Sequence, residues 1–387
     1  MKRRSGSARF SSSVLALLAL STQCIGAHAA LPSDLGLKPE NLTLAPVSKH
    51  WVWVNDMVFS HMDDGQVHLI DGDSGRLLGM FSSGYSAHVV LSADGKTLWS
   101  PETYFSRHTR GTRTDVVTVY DVSSLKPTAE ISIPAKRASA IPVVGMAGVT
   151  DDGRFLLIYN FNPSQSVSVV DTQANAFVGE IETPGCALVH PTGPRTFFSV
   201  CADGGLMTVV LDATGHALTQ VHSAPLFDLA DPVTEKPVRI GDTWYFVTFD
   251  GEVRPFKADA KGMTALPAWS LLTDAEKKAG WRPGGVQQLA GHAGQQRLYA
   301  IVHQGNRDTH KDSGRKIHVY DLASHARVQT LLMKHPVGSI AVSSDEKPLL
   351  FAASPEETNL YIYDARSGAL RHTVKDAGTS ILYLNAR

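Results

Sequence analysis

The chain has 387 residues, with 36 Lys and Arg against 37 Asp and Glu and a formal charge of −1. That balance argues against a protein whose main partner is nucleic acid, which needs a strong cationic excess on one face. After the N-terminal segment no stretch approaches about 18 consecutive apolar residues, so a membrane-spanning helix is excluded as well.

In chain order, residues 1–29 read as a secretory signal peptide. Lys2, Arg3 and Arg4 make a positive start, Val14 to Leu20 an apolar core too short to span a bilayer, and Ala27-His28-Ala29 a small-x-small cleavage site. The remainder, 30–387, is expected to be exported as one soluble domain. Losing Lys2, Arg3, Arg4 and Arg9, and no acid, takes the formal charge from −1 to −5. Cys24 leaves with the leader.

From residue 50 onward one pattern recurs: a strand-forming run, a turn holding Asp or Gly, and a second run. Clear copies are VHLIDGDSGRLLGMF (67–81), VVTVYDVSSLKPTAEI (116–131), VSVVDTQANAFVGEI (167–181), IHVYDLASHARVQTL (317–331) and LYIYDARSGALRHTV (360–374). Weaker copies at 206–221 and 251–266 bring the total to seven. A second hairpin precedes most of them, as in VVLSADGKTLWSP and GVTDDGRFLLIYN. Two hairpins per unit, at spacings of about 40 to 65 residues, predict an all-β fold, a seven-bladed β-propeller of four-stranded antiparallel blades. The first unit has only HWVWVND before its second hairpin, whereas the terminal SILYLNAR is a strand without a unit. The two ends are therefore expected to close the ring, which removes exposed strand edges.

Particular stretches fall outside the repeat. Asp71 to Gly75, DGDSG, resembles the start of a calcium loop but has no later bidentate Glu and reads as a tight turn. Tyr85 stands alone in a Gly/Ser-rich approach to a strand, either a packing plug or a group presented to a ligand. ETYFSRHTRGTR (102–113) carries Arg107, His108, Arg110 and Arg113; with HQGNRDTHKDSGRK (303–316) it reads as a long connection on one face of the ring. Such loops either dock a partner or are merely solvated. Cys186 and Cys201, an even pair in an oxidising compartment, read as one disulfide, with buried free thiols as the alternative. In WSLLTDAEKKAGWRPGG (269–285) a short helix is expected from the N-cap Thr273 to Lys278, ended by Gly280. No HExxH, paired Cys/His spacing, G-x-S-x-G or phosphate-binding glycine loop occurs, so no metal and no catalytic residue is expected in this chain.

Taken together, TYFSRHTRGTRTDVV, the pair Cys186 and Cys201 with CADGGL, WSLL followed by WRPGG, and SSDEKPLL resemble the large subunit of the tryptophan tryptophylquinone amine dehydrogenases, from about residue 45 onward. CADGGL and WSLL are more similar to the aromatic amine enzyme, FSR and DEKPLL to the methylamine enzyme; the resemblance implies a primary amine substrate, aromatic ahead of methylamine. It also implies two large and two small subunits, with the quinone made from two tryptophans of the small one, so that Trp51 and Trp53 here are core or interface residues. There the amine condenses with a quinone carbonyl, a carboxylate base takes the α-proton, aldehyde leaves, and electrons pass singly to a blue-copper protein, azurin- or amicyanin-like. The family places an aromatic, typically Phe, at the substrate channel, and the resemblance puts Tyr85 at that position. A non-enzymatic periplasmic binding propeller is the alternative, since the fold hosts many functions.

Overall fold

The computed structural model describes residues 43–139, 141–259 and 262–387; the expected leader, Cys24 included, lies outside them. Seven antiparallel sheets follow one another, each with a four-strand path. Blades 2 to 7 are built from consecutive strands. In blade 3, for example, Ala147–Val149, Phe155–Asn160, Ser166–Asp171 and Ala176–Glu182 run from the axis outward. The second and third strands are buried on both faces, whereas the outermost strand of blade 4, Ala217–His222, is exposed throughout. The core accordingly lies between blades. Val90, Trp99, Val117 and Val119 of blade 2 pack on Leu156, Ile158 and Val170 of blade 3. β-Branched side chains suit these pleated, two-sided surfaces.

The recurring Asp is a turn device. At the end of the clear third strands its carboxylate accepts from groups two or three residues on: Asp171 from the main-chain N–H groups of Gln173 (2.9 Å) and Ala174 (3.0 Å), Asp364 from those of Arg366 (3.1 Å) and Ser367 (2.9 Å), and Asp121 and Asp321 from those of Ser124 (3.0 Å) and Ser324 (2.9 Å). Asp71, in the calcium-like stretch, accepts from Asp73 N and Ser74 Oγ in the same way. These are Asx turns, which a short carboxylate makes at little entropic cost.

Blade 1 is closed from the far end of the chain. Ile381–Ala386 is its innermost strand, paired with Trp51–Asp56 in the register Val52↔Ala386 to Asp56↔Ile381. Buried Asn55 donates to Tyr383 O (3.1 Å) and Asn385 Oδ1 (2.9 Å). Buried Asp56 accepts from the main-chain N–H groups of Val58 (3.1 Å), Thr379 (2.7 Å) and Ser380 (2.7 Å).

Antiparallel order puts the first-to-second and third-to-fourth turns of every blade on one face of the ring. The second-to-third connections and the links between blades share the other, called here the connection face. Residues 102–113 differ from the expected loop. Strands Thr97–Arg107 and Arg110–Asp121 pair as far as Arg107↔Arg110, so the stretch is a projecting ribbon with only His108 and Thr109 in its turn. Tyr104↔Thr114 and Phe105↔Arg113 keep the ladder going, because β-forming residues on both sides outweigh the loop-like charge. The 303–316 stretch is a loop only between Gln304 and Gly314. The helix Asp274–Lys278 is present, and Thr273 and Glu276 form a reciprocal capping box.

Cys186 and Cys201 face each other across the first two strands of blade 4 and are joined. His222 lies beside them, but sulfurs bonded to each other are not thiolates that ligate metal. Cys186→Ala/Cys201→Ala should lower stability by about 2 to 5 kcal/mol, read as a fall in the urea midpoint at fixed slope.

Two buried imidazoles add an acid-sensitive element. His88 stacks on Tyr383 (4.6 Å between ring centres), and burial, aided by Arg137 and opposed by a hydrogen bond to the Ala147 main chain, pushes its pKa down to about 4. His190, between Phe198 and Trp244, is pushed by burial to about 3. Unfolded histidine takes a proton near pH 6.5, which these two resist when folded. Their contribution is thus complete above pH 6.5 and declines as pH falls towards 4. Urea midpoints between pH 7 and 4 should fall more steeply for the natural chain than for His190→Leu; equal slopes would remove His190 from this account.

Candidate functional site

Tyr85 sits in the link from blade 1 to blade 2, on the connection face. Its neighbours Gly84 (φ 62°) and Ser86 (φ 60°) are both left-handed, which throws the intervening residue out of the strand path. A Cβ at Gly84 would lie 2.7 Å from Thr103 O, so glycine is required there for close approach as well. Tyr85 N–H donates to Thr103 O (3.1 Å). Its half-buried ring meets Phe105 edge-on, with centres 5.4 Å apart and planes at 78°. Burial, and then Asp63, raise its hydroxyl pKa, so the phenol stays protonated.

Around it lies a recess of about 230 Å³ lined by Asp63, Tyr85, Tyr104, Phe105, Ser106 and His108. Behind the recess Glu102 is buried and accepts hydroxyl hydrogen bonds from Thr118 (2.5 Å), Tyr104 (2.8 Å) and Tyr120 (3.4 Å). Burial raises the Glu102 pKa, and the hydroxyls and Arg137 oppose that rise. Tyr104 thereby presents ring rather than free hydroxyl to the recess.

The basic residues divide. Arg107, His108 and Arg110 are exposed at the ribbon end, and His108 Nδ1 lies 3.5 Å from Asp63. Arg107 and Arg110 stand directly opposite one another. Arg113 turns inward instead. Its Nε and Nη2 clasp Asp115 at 2.8 and 2.7 Å, and Nη2 also donates to Arg137 O (2.6 Å). Sequence reasoning did not pick out Asp63, Tyr104, Phe105, Glu102 or Arg137. Nor did it note the exposed apolar residues Phe59, Ile141, Phe161 (62% exposed) and Leu229, all in segments of this same face. Large apolar side chains inside polar connections were the available signal.

The opposite mouth of the ring holds a larger space, about 510 Å³. Its two arginines are occupied: Arg239 donates to Asp151, Pro191 O and Gly241 O, and Arg387 to Ala93 O and Asp94 O. Trp51, Trp53, Trp99 and Trp244 are core residues, and among the described residues no ring contact joins two tryptophans.

By fold and site, the chain is a seven-bladed β-propeller with an aromatic recess on its connection face. Among solved structures it is similar to a functionally unknown protein from Desulfotomaculum acetoxidans, with TM-score 0.61 and 13% identity over 86% of this chain and 98% of that one; this likeness concerns the fold alone. Residues 48–383 match the family described as methylamine dehydrogenase heavy chain (MADH). The chain is 34% identical to the methylamine dehydrogenase heavy chain of Methylophilus methylotrophus, over 94% of this chain and 92% of that one. To the corresponding chain of Methylorubrum extorquens it is 32% identical, over 88% and 83%. The chain belongs to the methylamine dehydrogenase heavy chain family and is the large subunit of an amine dehydrogenase, an oxidoreductase acting on CH–NH2 donors.

Proposed function

We propose that this chain serves a periplasmic, quinone-dependent dehydrogenase of primary amines as a scaffold and as part of the substrate mouth, with aromatic amines preferred to methylamine. In this reading residues 1–29 are an export signal and 30–387 the single propeller domain. Two copies assemble with two small subunits. The tryptophan tryptophylquinone belongs to the small subunit and, when present, accepts the electrons of the amine. This chain supplies the rest: it holds the small subunit, restricts the approach of substrate and excludes water.

The observation that carries the substrate reading is Tyr85 with Phe105 at the wall of the recess. Aromatic faces and edges suit the flat tail of an aromatic amine, and they contribute little towards binding a single methyl group. A second reading, methylamine itself, is favoured by the names of the curated relatives.

Docking is assigned to the connection face. Phe59, Ile141, Phe161 and Leu229 supply the apolar area that an obligate partner would cover. Arg107 opposite Arg110 is an unfavourable pair on its own, and a carboxylate-bearing partner relieves it. That partner is the small subunit or the electron acceptor, a blue-copper protein of azurin or amicyanin type.

The large subunit purified alone should be folded and colourless, and should reduce no dye with any amine. Both colour and activity should appear on assembly with the small subunit. Quinone absorbance in the isolated chain would overturn this division of labour.

In the assembled enzyme, Tyr85→Ala should shift the ratio of kcat/KM for a bulky aromatic amine to that for methylamine by about 1 to 3 kcal/mol, the scale of an apolar pocket change. Tyr85→Phe should shift it much less. An unmoved ratio in Tyr85→Ala would make the ring a packing plug and place selectivity wholly in the small subunit.

A further inference from the structure

We propose that Arg137 is a positioning residue for the substrate mouth: its buried guanidinium holds two successive main-chain carbonyls, those of Tyr85 and Ser86, and so sets where the Tyr85 ring stands. The inference rests on the reading of Tyr85 as a wall of the channel. Arg137 lies in the link from blade 2 to blade 3 and is only 3% exposed. Its Nη2 donates to Tyr85 O (2.5 Å), Nη1 to Ser86 O (3.5 Å) and Nε to Thr103 Oγ1 (3.1 Å). Tyr85 N–H is meanwhile held by Thr103 O, so one threonine and one arginine fix the tyrosine through its peptide groups.

The clamp is itself held at several points. Asp115, buried on blade 2, accepts from Arg137 N (2.9 Å), Thr103 Oγ1 (2.9 Å) and both nitrogens of the Arg113 fork. Arg113 also donates to Arg137 O, so the main chain of Arg137 is gripped at N–H and at C=O. Burial lowers the Arg137 pKa to about 10, with Asp115 as the main opposing influence, so the guanidinium remains charged at neutral pH. A buried guanidinium whose own contacts are two carbonyls and a hydroxyl is costly to place, and the fold recovers that cost only if those contacts persist. The fork is what matters. A lysine has one ammonium on a flexible stem and cannot span two successive carbonyls and a hydroxyl from a fixed plane.

Two left-handed residues flank Tyr85, and the non-glycine one, Ser86, is in a conformation of higher energy. Without the clamp this segment has a lower-energy path in which the tyrosine leaves the recess. A residue that served stability alone would alter both amines equally; a residue that places the ring alters their ratio.

The experiment uses the assembled enzyme with Tyr85→Ala, Arg137→Lys, Thr103→Val and the double variant Tyr85→Ala/Arg137→Lys. The readout is the kcat/KM ratio of a bulky aromatic amine to methylamine. Arg137→Lys is expected to move the ratio at least about fivefold in the direction of Tyr85→Ala, and the double variant to move it no further than Tyr85→Ala within about twofold, because coupled residues do not add. Thr103→Val, which removes the Nε acceptor while retaining Arg137, should move it the same way by less. That variant keeps the test open if Arg137→Lys fails to assemble. A ratio unmoved by both Arg137→Lys and Thr103→Val while Tyr85→Ala moves it, or full additivity in the double variant, overturns the positioning role. A ratio unmoved by Tyr85→Ala overturns the channel reading instead, and this inference with it.

Discussion

Ring closure is the constraint on which everything else depends. A four-stranded blade that lacks its inner strand exposes an edge to the axis, and the terminal strand Ile381–Ala386 fills that place. The closure reaches the site. Asn55 Oδ1 accepts from Val89 N–H at 3.0 Å, and Asn385 Nδ2 donates to Val89 O at 3.3 Å. Two residues that join the ends of the chain thus pin both peptide groups of Val89, four residues beyond Tyr85. The aromatic recess is anchored at one end by closure and at the other by Thr103.

The two mouths of the ring have different chemistry. The turn face is built from repeated, self-satisfied turns, and the arginines around its larger space are already bonded to carbonyls and to Asp151. On the connection face several links are longer, apolar side chains stand in solvent, and two arginines oppose each other with no ion pair to either among the described residues. Size of cavity and unsatisfied surface therefore favour opposite mouths, and the proposed site follows the second, on the face with Tyr85. On the proposed reading the propeller supplies a rigid frame, and the irregular links carry recognition.

What was legible in the sequence follows from how local its chemistry is. The Asp at the end of a clear third strand holds a turn within three residues, so the blade repeat could be read directly. The Thr273 and Glu276 capping box is equally local, and the facing of Cys186 and Cys201 follows from one hairpin. The ribbon reads as a loop in the sequence because its charged residues look solvated, while the pairing that orders it depends on register across two strands. Arg137 was invisible for a different reason. It contacts groups 22, 34 and 52 residues away, Asp115, Thr103 and Tyr85, and no periodicity encodes such a meeting. Arg113 looks like its exposed neighbours, yet Asp115 stands two residues on along the same face of the strand, and that spacing was the available signal for its inward turn.

The order of strands within blade 1 also fixes a timetable. Blades 2 to 7 each draw their four-strand path from one contiguous stretch, so each has its partners close by in the chain. Asn55 meets Tyr383 across 328 residues of chain. In a chain that emerges from its N-terminus, the first blade to appear is the last to be completed, and it waits with an open edge while six others form. Contacts of such span are slow to make and leave a strand edge available to wrong partners in the interval. Residues 51–56 lack a partner on their inner side until the last strand arrives, so completion of the ring is concentrated in a single late event.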